Sequence, residues 1–283
     1  MKSSVLKKIE NLLGAKIKSS FSCSGGCVSD AYSLETETGK TYFVKLGGGA
    51  SHMFFREEEG LKELSKAQAF RIPKVIHAEK DFILMEYITP GQRGVETHRN
   101  FGRAIAKLHK YQGAKFGLKY DNYIGSTPQI NAQSDNWIEF YLQNRLLFQL
   151  KLAEKNKLGG IELTKSFLLL EKNIAKILGP IEEPPSLLHG DLWSGNYLVD
   201  ENKNACLIDP AIYYGNREAE FGMIMLFGGF NQDFFAGYQE VYPLQEDWQY
   251  RNKVYQLYHL MNHLNLFGSS YMQQVMDAVG FYL

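Results

Sequence analysis

The segment Leu187–Asp200, LLHGDLWSGNYLVD, constrains this chain more than any other. It begins and ends apolar, as two short buried strands do. Between them lie His189, Asp191, Trp193, Ser194 and Asn196, with glycines at 190 and 195. Buried polar groups need hydrogen-bond partners and glycines cost conformational entropy. A turn this rich in both marks a place of chemistry rather than a simple connection, and the fold has to hold it inside an apolar frame. A second apolar run, ACLIDP, follows and carries Asp209 near its end.

The rest of the chain falls into two patterns. FSCSGGCVSDAYSLETETGKTYFVKLG reads as three strands, with a glycine turn and a hairpin at Thr38-Gly39, the last strand ending near Lys45. SHMFFREEEGLKELSKAQ reads as a helix through Phe54, Leu61 and Leu64, and IPKVIHAEKDFILMEYI as two further strands. Thr89-Pro90-Gly91 breaks the pattern. Beyond it FGRAIAKLHKY, WIEFYLQNRLLFQLKLAEKN, LTKSFLLLEKNIAKIL and the stretch from about Asp247 carry helical periodicity. The expectation is an α+β protein with two lobes. Residues 1–88 form a small antiparallel sheet with one inserted helix, the nucleotide-binding lobe. Residues 89–283 form a larger, mainly helical lobe for catalysis and substrate binding.

Bulk properties exclude several classes. The 31 basic and 31 acidic side chains cancel and form no basic stripe, which argues against a nucleic-acid partner. No apolar run reaches the roughly 20 residues of a membrane span. The first residues, with Val5, Leu6, Ile9, Leu12 and Leu13 at helical spacing, read as an amphipathic surface helix rather than a signal peptide. A cytoplasmic protein is expected. Cys23, Cys27 and Cys206 form no C-x-x-C pair, so neither a disulfide framework nor structural zinc is expected.

The polar hairpin has the spacing of a phosphoryl-transfer loop. Asp191 is followed five residues later by Asn196, and Asp209 ends the next apolar run. One carboxylate, Asp191, would accept the proton of an attacking hydroxyl. Asn196 and Asp209 would hold Mg²⁺ bridging the phosphates of ATP. The small lobe supplies a matching cradle. Gly25 and Gly26 let backbone N–H groups approach phosphate. Lys45 stands where a strand lysine meets the α- and β-phosphates. Glu57 would hold Lys45, with Glu58 and Glu59 as rivals; Leu61 one turn on places Glu57 on the inward face. In FILMEYI, the Glu86 carbonyl and the Ile88 N–H would bond adenine.

With these residues in place, the chain resembles the fructosamine kinase (ketosamine-3-kinase) family, within the wider aminoglycoside-phosphotransferase-like and protein-kinase-like group. HGDLWSGN carries most of the resemblance, and SGGCVSDAY, TYFVK, FGRAIAKLH, FGLKYDNYIGSTPQIN, YYGNREAEFGMIMLFGGF and YQLYHLMNHLNLFGSSY extend it. Glu220 stands where the family pattern suggests Asp, and Leu266 departs from a polar or aromatic stretch; neither is expected to touch the chemistry. The resemblance implies a protein-kinase-like fold. It also implies ATP-dependent phosphorylation of the sugar 3-hydroxyl in ketosamines, and hence repair of glycated amines. Trp193 would lie against the sugar, and His263, one turn after His259, would face the acceptor. Glu218 is expected to anchor the loop after Asp209, while Tyr213, Tyr214 and the FGGF segment read as core. No role follows for Gln129 or Asn131.

Cys27, directly after Gly26, is expected to be a thiolate candidate. Its oxidation, to a sulfenic acid or to a disulfide with another chain, would impair ATP binding, and a monomer or a redox-dependent dimer is expected. The competing functions are a kinase for an aminoglycoside or choline-like alcohol and a catalytically silent binding module. The near-neutral, aromatic last third argues against the first, and the presence of Lys45, Asp191, Asn196 and Asp209 against the second.

Overall fold

Strict alternation in FILME places Phe82 and Leu84 on one face of a strand and Ile83 and Met85 on the other, and both faces are covered. The computed structural model describes residues 1–23, 30–47, 50, 52–180 and 182–283. Strands β1 (Ile17–Cys23), β2 (Asp30–Thr36), β3 (Thr41–Leu46), β4 (Val75–Ala78) and β5 (Phe82–Glu86) form an antiparallel sheet in the order β1-β2-β3-β5-β4. Helix α1 (Ser3–Leu13) inserts Ile9 against Leu34, Val44, Phe82 and Leu84 on one side. Helix α2 (Met53–Lys66) packs Phe54 and Leu61 against Ile83 and Met85 on the other. Lys45 pairs with Ile83 across the β3–β5 ladder, so its side chain rises on the α2 face. The glycine turn at 25–26 and Cys27 lie outside the described residues.

The chain divides into two units, Met1–Thr97 with Gly195–Pro210, and His98–Ser194 with Ala211–Leu283. The hairpin strands Tyr197–Val199 and Ala205–Leu207 therefore group with the sheet. Backbone bonds explain this. Arg71 N–H donates to the Ala205 carbonyl (3.3 Å), Leu207 N–H to that of Arg71 (3.3 Å) and Gly91 N–H to that of Val199 (2.7 Å). A Cβ on Gly91 would lie 1.9 Å from the Asp200 carbonyl oxygen, so glycine is required there. The break at Thr89-Pro90-Gly91 is thus tied to the hairpin, and the first unit runs on to Thr97.

The second unit is helical: α3 (Thr97–His109), α4 (Trp137–Tyr141), α5 (Phe148–Lys155), α6 (Ile161–Leu178), α7 (Glu220–Phe227), α8 (Gln232–Val241), α9 (Trp248–Phe267) and α10 (Met272–Gly280). Its centre is α9, buried on nearly every side from Val254 to Met261. Its polar members Asn252, Gln256, His259 and Asn262 are buried together with the apolar ones. Gly222 lets α7 lie against it, since a Cβ there would sit 2.7 Å from the Tyr255 carbonyl carbon. The long helix expected over WIEFYLQNRLLFQLKLAEKN is interrupted by a π turn, Leu142–Leu147, which contains the fully buried Arg145. Strands Ser186–Leu188 and Tyr213–Gly215 pair, as do Asn122–Ile124 and Thr127–Gln129. No helix among the described residues is long and apolar enough to cross a membrane.

Candidate active site

Within the first unit, Lys45, Glu57 and Asp209 come together. The Lys45 Nζ donates to Glu57 Oε1 at 2.6 Å and also to Asp209 Oδ1. Burial by itself would lower the Lys45 pKa, but the Asp209 and Glu57 carboxylates outweigh it and hold the amine above its ordinary value. Burial pushes the Glu57 carboxyl up, and Lys45 draws it back. The neighbouring carboxylates of α2 are engaged elsewhere, Glu58 with Lys62 and Glu59 with Arg56. Asp209 adopts φ +55°, a left-handed conformation that Asp and Asn tolerate better than most side chains. Asn196 is buried next to the first hairpin strand, and its carbonyl accepts from Ile208 N–H at 3.1 Å.

In the second unit the loop that bears Asp191 is held from behind. Ala211 N–H donates to the His189 carbonyl at 2.9 Å. Gly190 has φ +81°, and a Cβ there would meet the Ala211 carbonyl oxygen at 2.0 Å. Only glycine allows this approach. The carboxylate of Glu220, first residue of α7, accepts from His189 N–H (2.6 Å) and Gly190 N–H (3.0 Å). Behind it stand His109, with Nε2 3.5 Å from Glu220, and Tyr238, whose hydroxyl lies 2.8 Å from His109 Nδ1. Burial pushes the Glu220 carboxyl up, but the bonds to His109 and His189 prevail and hold it below its ordinary value. Burial keeps His109 down, hence neutral near pH 7. An ionised Glu220 then takes the proton-bearing Nε2 of His109, and Tyr238 donates to Nδ1.

A second set of buried amides supports the carbonyls that follow Asp209 in sequence. Gln129 Nε2 donates to the Ala211 carbonyl and Asn122 Nδ2 to that of Ile212, both at 2.9 Å. Asn131 Nδ2 donates to Asn122 Oδ1 at 2.8 Å, and Arg145 Nη2 to Asn131 Oδ1 at 2.8 Å. Tyr258 completes the set by donating to Gln129 Oε1 at 2.8 Å. These contacts give Gln129 and Asn131 the supporting role that their sequence context did not disclose.

Other expected residues fall as follows. Trp193, in the second unit, is 38% exposed and its ring lies 6.5 Å from that of Phe227. His263 lies in the same unit on α9, its Nδ1 2.8 Å from the His259 carbonyl oxygen. His259 is buried. The Glu86 side chain binds Arg71 (2.5 Å), and Ile88 is buried. Tyr213 is core, whereas Phe227 of the FGGF region is 38% exposed. Glu218 does not anchor the loop after Asp209. Its carboxylate forms a two-pronged pair with Arg251 at 2.6 and 2.7 Å. Glu220, two residues on, anchors a different loop, the one that bears Asp191. The signal for it was available: a carboxylate opening the otherwise apolar helix EFGMIMLF needs a buried partner.

The donors available to a cation are oxygens, the Asn196 amide and the Asp209 carboxylate. Among the described residues no cluster of three His, Cys, Asp or Glu could hold a metal alone.

A family model for fructosamine kinase matches residues 1–283. The chain is 39% identical over 257 residues to a "probable ketoamine kinase" of Enterococcus faecium, covering 89% of this chain and 90% of that one. It is 39% identical over 271 residues to a chloroplastic protein-ribulosamine 3-kinase of Arabidopsis thaliana, covering 93% and 82%. Among solved structures, a protein of Thermobifida fusca assigned as a fructosamine-3-kinase superposes with a TM-score of 0.90 at 29% identity, over 99% of both chains. An aminoglycoside phosphotransferase in complex with gentamicin superposes with a TM-score of 0.67 at 15% identity, over 99% of this chain and 95% of that one, a likeness of fold alone.

Proposed function

The chain belongs to the fructosamine kinase family, and from that premise we propose that it transfers the γ-phosphoryl group of ATP to the 3-hydroxyl of a ketosamine. The observation that carries the reading is the cluster of buried Lys45 with Glu57 and Asp209, which has the charges and order of a phosphoryl-transfer site. Lys45, fixed by Glu57, holds the nucleotide phosphates. Asn196 and Asp209 hold Mg²⁺, which when bound neutralises charge developing on the phosphates. The Glu86 carbonyl and Ile88 N–H hold adenine, and Gly25 and Gly26 the phosphate turn. Asp191 accepts the proton of the sugar hydroxyl, and the two N–H bonds to Glu220 keep its loop in one conformation. Trp193 offers an exposed indole to the sugar, with His263 toward the acceptor. A phosphate on the 3-oxygen of a 2-keto sugar is a leaving group: loss of a C1 proton expels it, and water then hydrolyses the resulting C1 imine, releasing the amine and a 3-deoxy-2-keto aldehyde. That outcome is repair of glycated amines.

The test is ATP consumption with ribulose and fructose adducts of simple amines, set against aminoglycosides and choline, with the phosphorylated position read by NMR. Ketosamine 3-phosphates are the expected products. Turnover of aminoglycosides or choline alone overturns the reading.

A further inference from the structure

An exposed ladder of aromatic rings leads away from Trp193. Phe227 lies 6.5 Å from Trp193, and His263 lies 4.6 Å from Phe227. Phe267 and Tyr271 lie 5.4 and 5.2 Å from His263 on its other sides, and 6.2 Å from each other. A core cluster would be enclosed, yet Phe227 is 38% and Phe267 50% exposed. Single exposed aromatics are common; a contiguous row of them beside a reaction site marks a surface that binds. The row is held in place. Gly229, at φ +94°, lies so close to Ser194 that a Cβ would meet the serine Cβ at 2.2 Å, which pins the end of α7 beside Trp193.

His263 gives the row one polar point. Its Nδ1 faces the His259 carbonyl oxygen at 2.8 Å, so Nδ1 carries the proton. Burial depresses its pKa against the pull of that bond, which keeps the ring neutral near pH 7. The other nitrogen, Nε2, is then an acceptor, and the one hydrogen bond of the ring among the described residues is made by Nδ1. An uncharged acceptor among π faces recognises an ammonium N–H that carries an apolar substituent.

We propose that Phe227, Phe267 and Tyr271, with Nε2 of His263, form a subsite for the amine half of the acceptor, selecting secondary ammonium adducts with an aliphatic or aromatic substituent. This rests on the ketosamine reading above. In such an adduct the amine nitrogen is bonded to C1, two carbons from the C3 that bears the reacting hydroxyl. A sugar against Trp193, two residues from Asp191, directs its amine along the row. His263 accepts from the ammonium, and Phe227 and Phe267 cover the carbons of the substituent beyond the first. The sugar is thus read at Trp193 and the amine by the rings beyond it.

The experiment compares kcat/KM for ribulose adducts of methylamine, n-butylamine and benzylamine in wild type, Phe227→Leu and Phe267→Ala. Phe267 is half exposed and leucine nearly fills the volume of Phe227, so both variants should fold, which thermal melting checks. In wild type, kcat/KM should rise about five- to tenfold from the methylamine to the benzylamine adduct, the scale of one exposed cation–π contact and a few covered carbons. Both variants should flatten that rise, while the KM for ATP and the value for the methylamine adduct stay within about twofold, as expected of contacts made only to the distal substituent. A flat series in wild type, a rise that survives both substitutions, or an equal loss on all three adducts overturns the subsite. Wild-type turnover of the methylamine adduct separates these outcomes from failure of the ketosamine reading. If none of the adducts is phosphorylated, that reading fails and the subsite falls with it.

Discussion

At the residue scale, Asp191 and Asp209 carry different proposed tasks. Asp191 sits on a loop whose neighbouring backbone groups are held by the Glu220 carboxylate and the Ala211 N–H, and asparagine keeps its size and shape. Asp191→Asn should therefore leave the loop and nucleotide affinity within a few-fold of wild type while lowering kcat by about 10²- to 10⁴-fold, the loss typical of a general base. Single-turnover assays beside nucleotide titration check this, and near wild-type turnover would remove Asp191 from the mechanism. Asp209 combines a left-handed backbone with an ion pair to Lys45. Asparagine suits that backbone, so Asp209→Asn tests the charge without straining the chain. Its melting temperature should stay close to that of wild type, while the Mg²⁺ concentration for half-maximal activity rises at least about tenfold, as expected when an anionic ligand is lost. An unchanged metal requirement would exclude Asp209 as a ligand.

At the element scale, one side chain ties the edge of the sheet to the hairpin. Arg71 binds Glu86 at the end of β5 (2.5 Å) and Asp200 at the turn of the hairpin (2.7 Å). Asp200 also accepts from Asn202 N–H at 2.9 Å and Asn204 N–H at 2.7 Å, which shapes the turn. The residues proposed to meet adenine and those proposed to meet the metal are thus coupled within one unit. Arg71→Met leaves the buried Asp200 one donor short, a cost of about 1–3 kcal/mol. It should raise the KM for ATP several-fold and shift the denaturation midpoint, with kcat at saturating ATP and Mg²⁺ little changed. A kcat loss at unchanged KM would show that Arg71 acts on chemistry rather than on nucleotide placement.

At the scale of the whole molecule, buried histidines set the response to acid. Burial, with His263 and Arg145 nearby, drives His259 down to about 3. It also holds His109 and His263 below their ordinary value. The unfolded chain protonates all three from about pH 6.5 downward while the folded chain resists. Stability is therefore complete above that pH and is lost as pH falls, by up to about 1.4 kcal/mol per pH unit for each group. Glu220 and Glu183, whose carboxyls are held low, add to the loss only below about pH 4.5; Glu57, raised by burial, runs the other way. Urea midpoints should fall between pH 7 and 5, and His259→Leu should flatten that fall. A midpoint independent of pH over this window would contradict the buried, neutral state of these rings.

The sequence by itself determined most of the elements and the class of chemistry. Alternation fixed the strands, periodicity the helices, and the spacing of Asp191, Asn196 and Asp209 the class of chemistry, because these signals are local and carried by side chains unusual in an apolar setting. The pairing of Lys45 with Glu57 rather than Glu58 or Glu59 was legible too, since Leu61 marks the inward face of α2. Tertiary structure alone decided what supports those groups. Glu220 reaches back 30 residues to Gly190, and Gln129 spans 82 to Ala211. Neither partner can be read from spacing, because buried polar groups are satisfied by whichever backbone the fold brings near. The grouping of Gly195–Pro210 with the sheet was hidden for the same reason: it depends on backbone bonds to Arg71 and Gly91, and backbone bonds leave little mark on side-chain pattern.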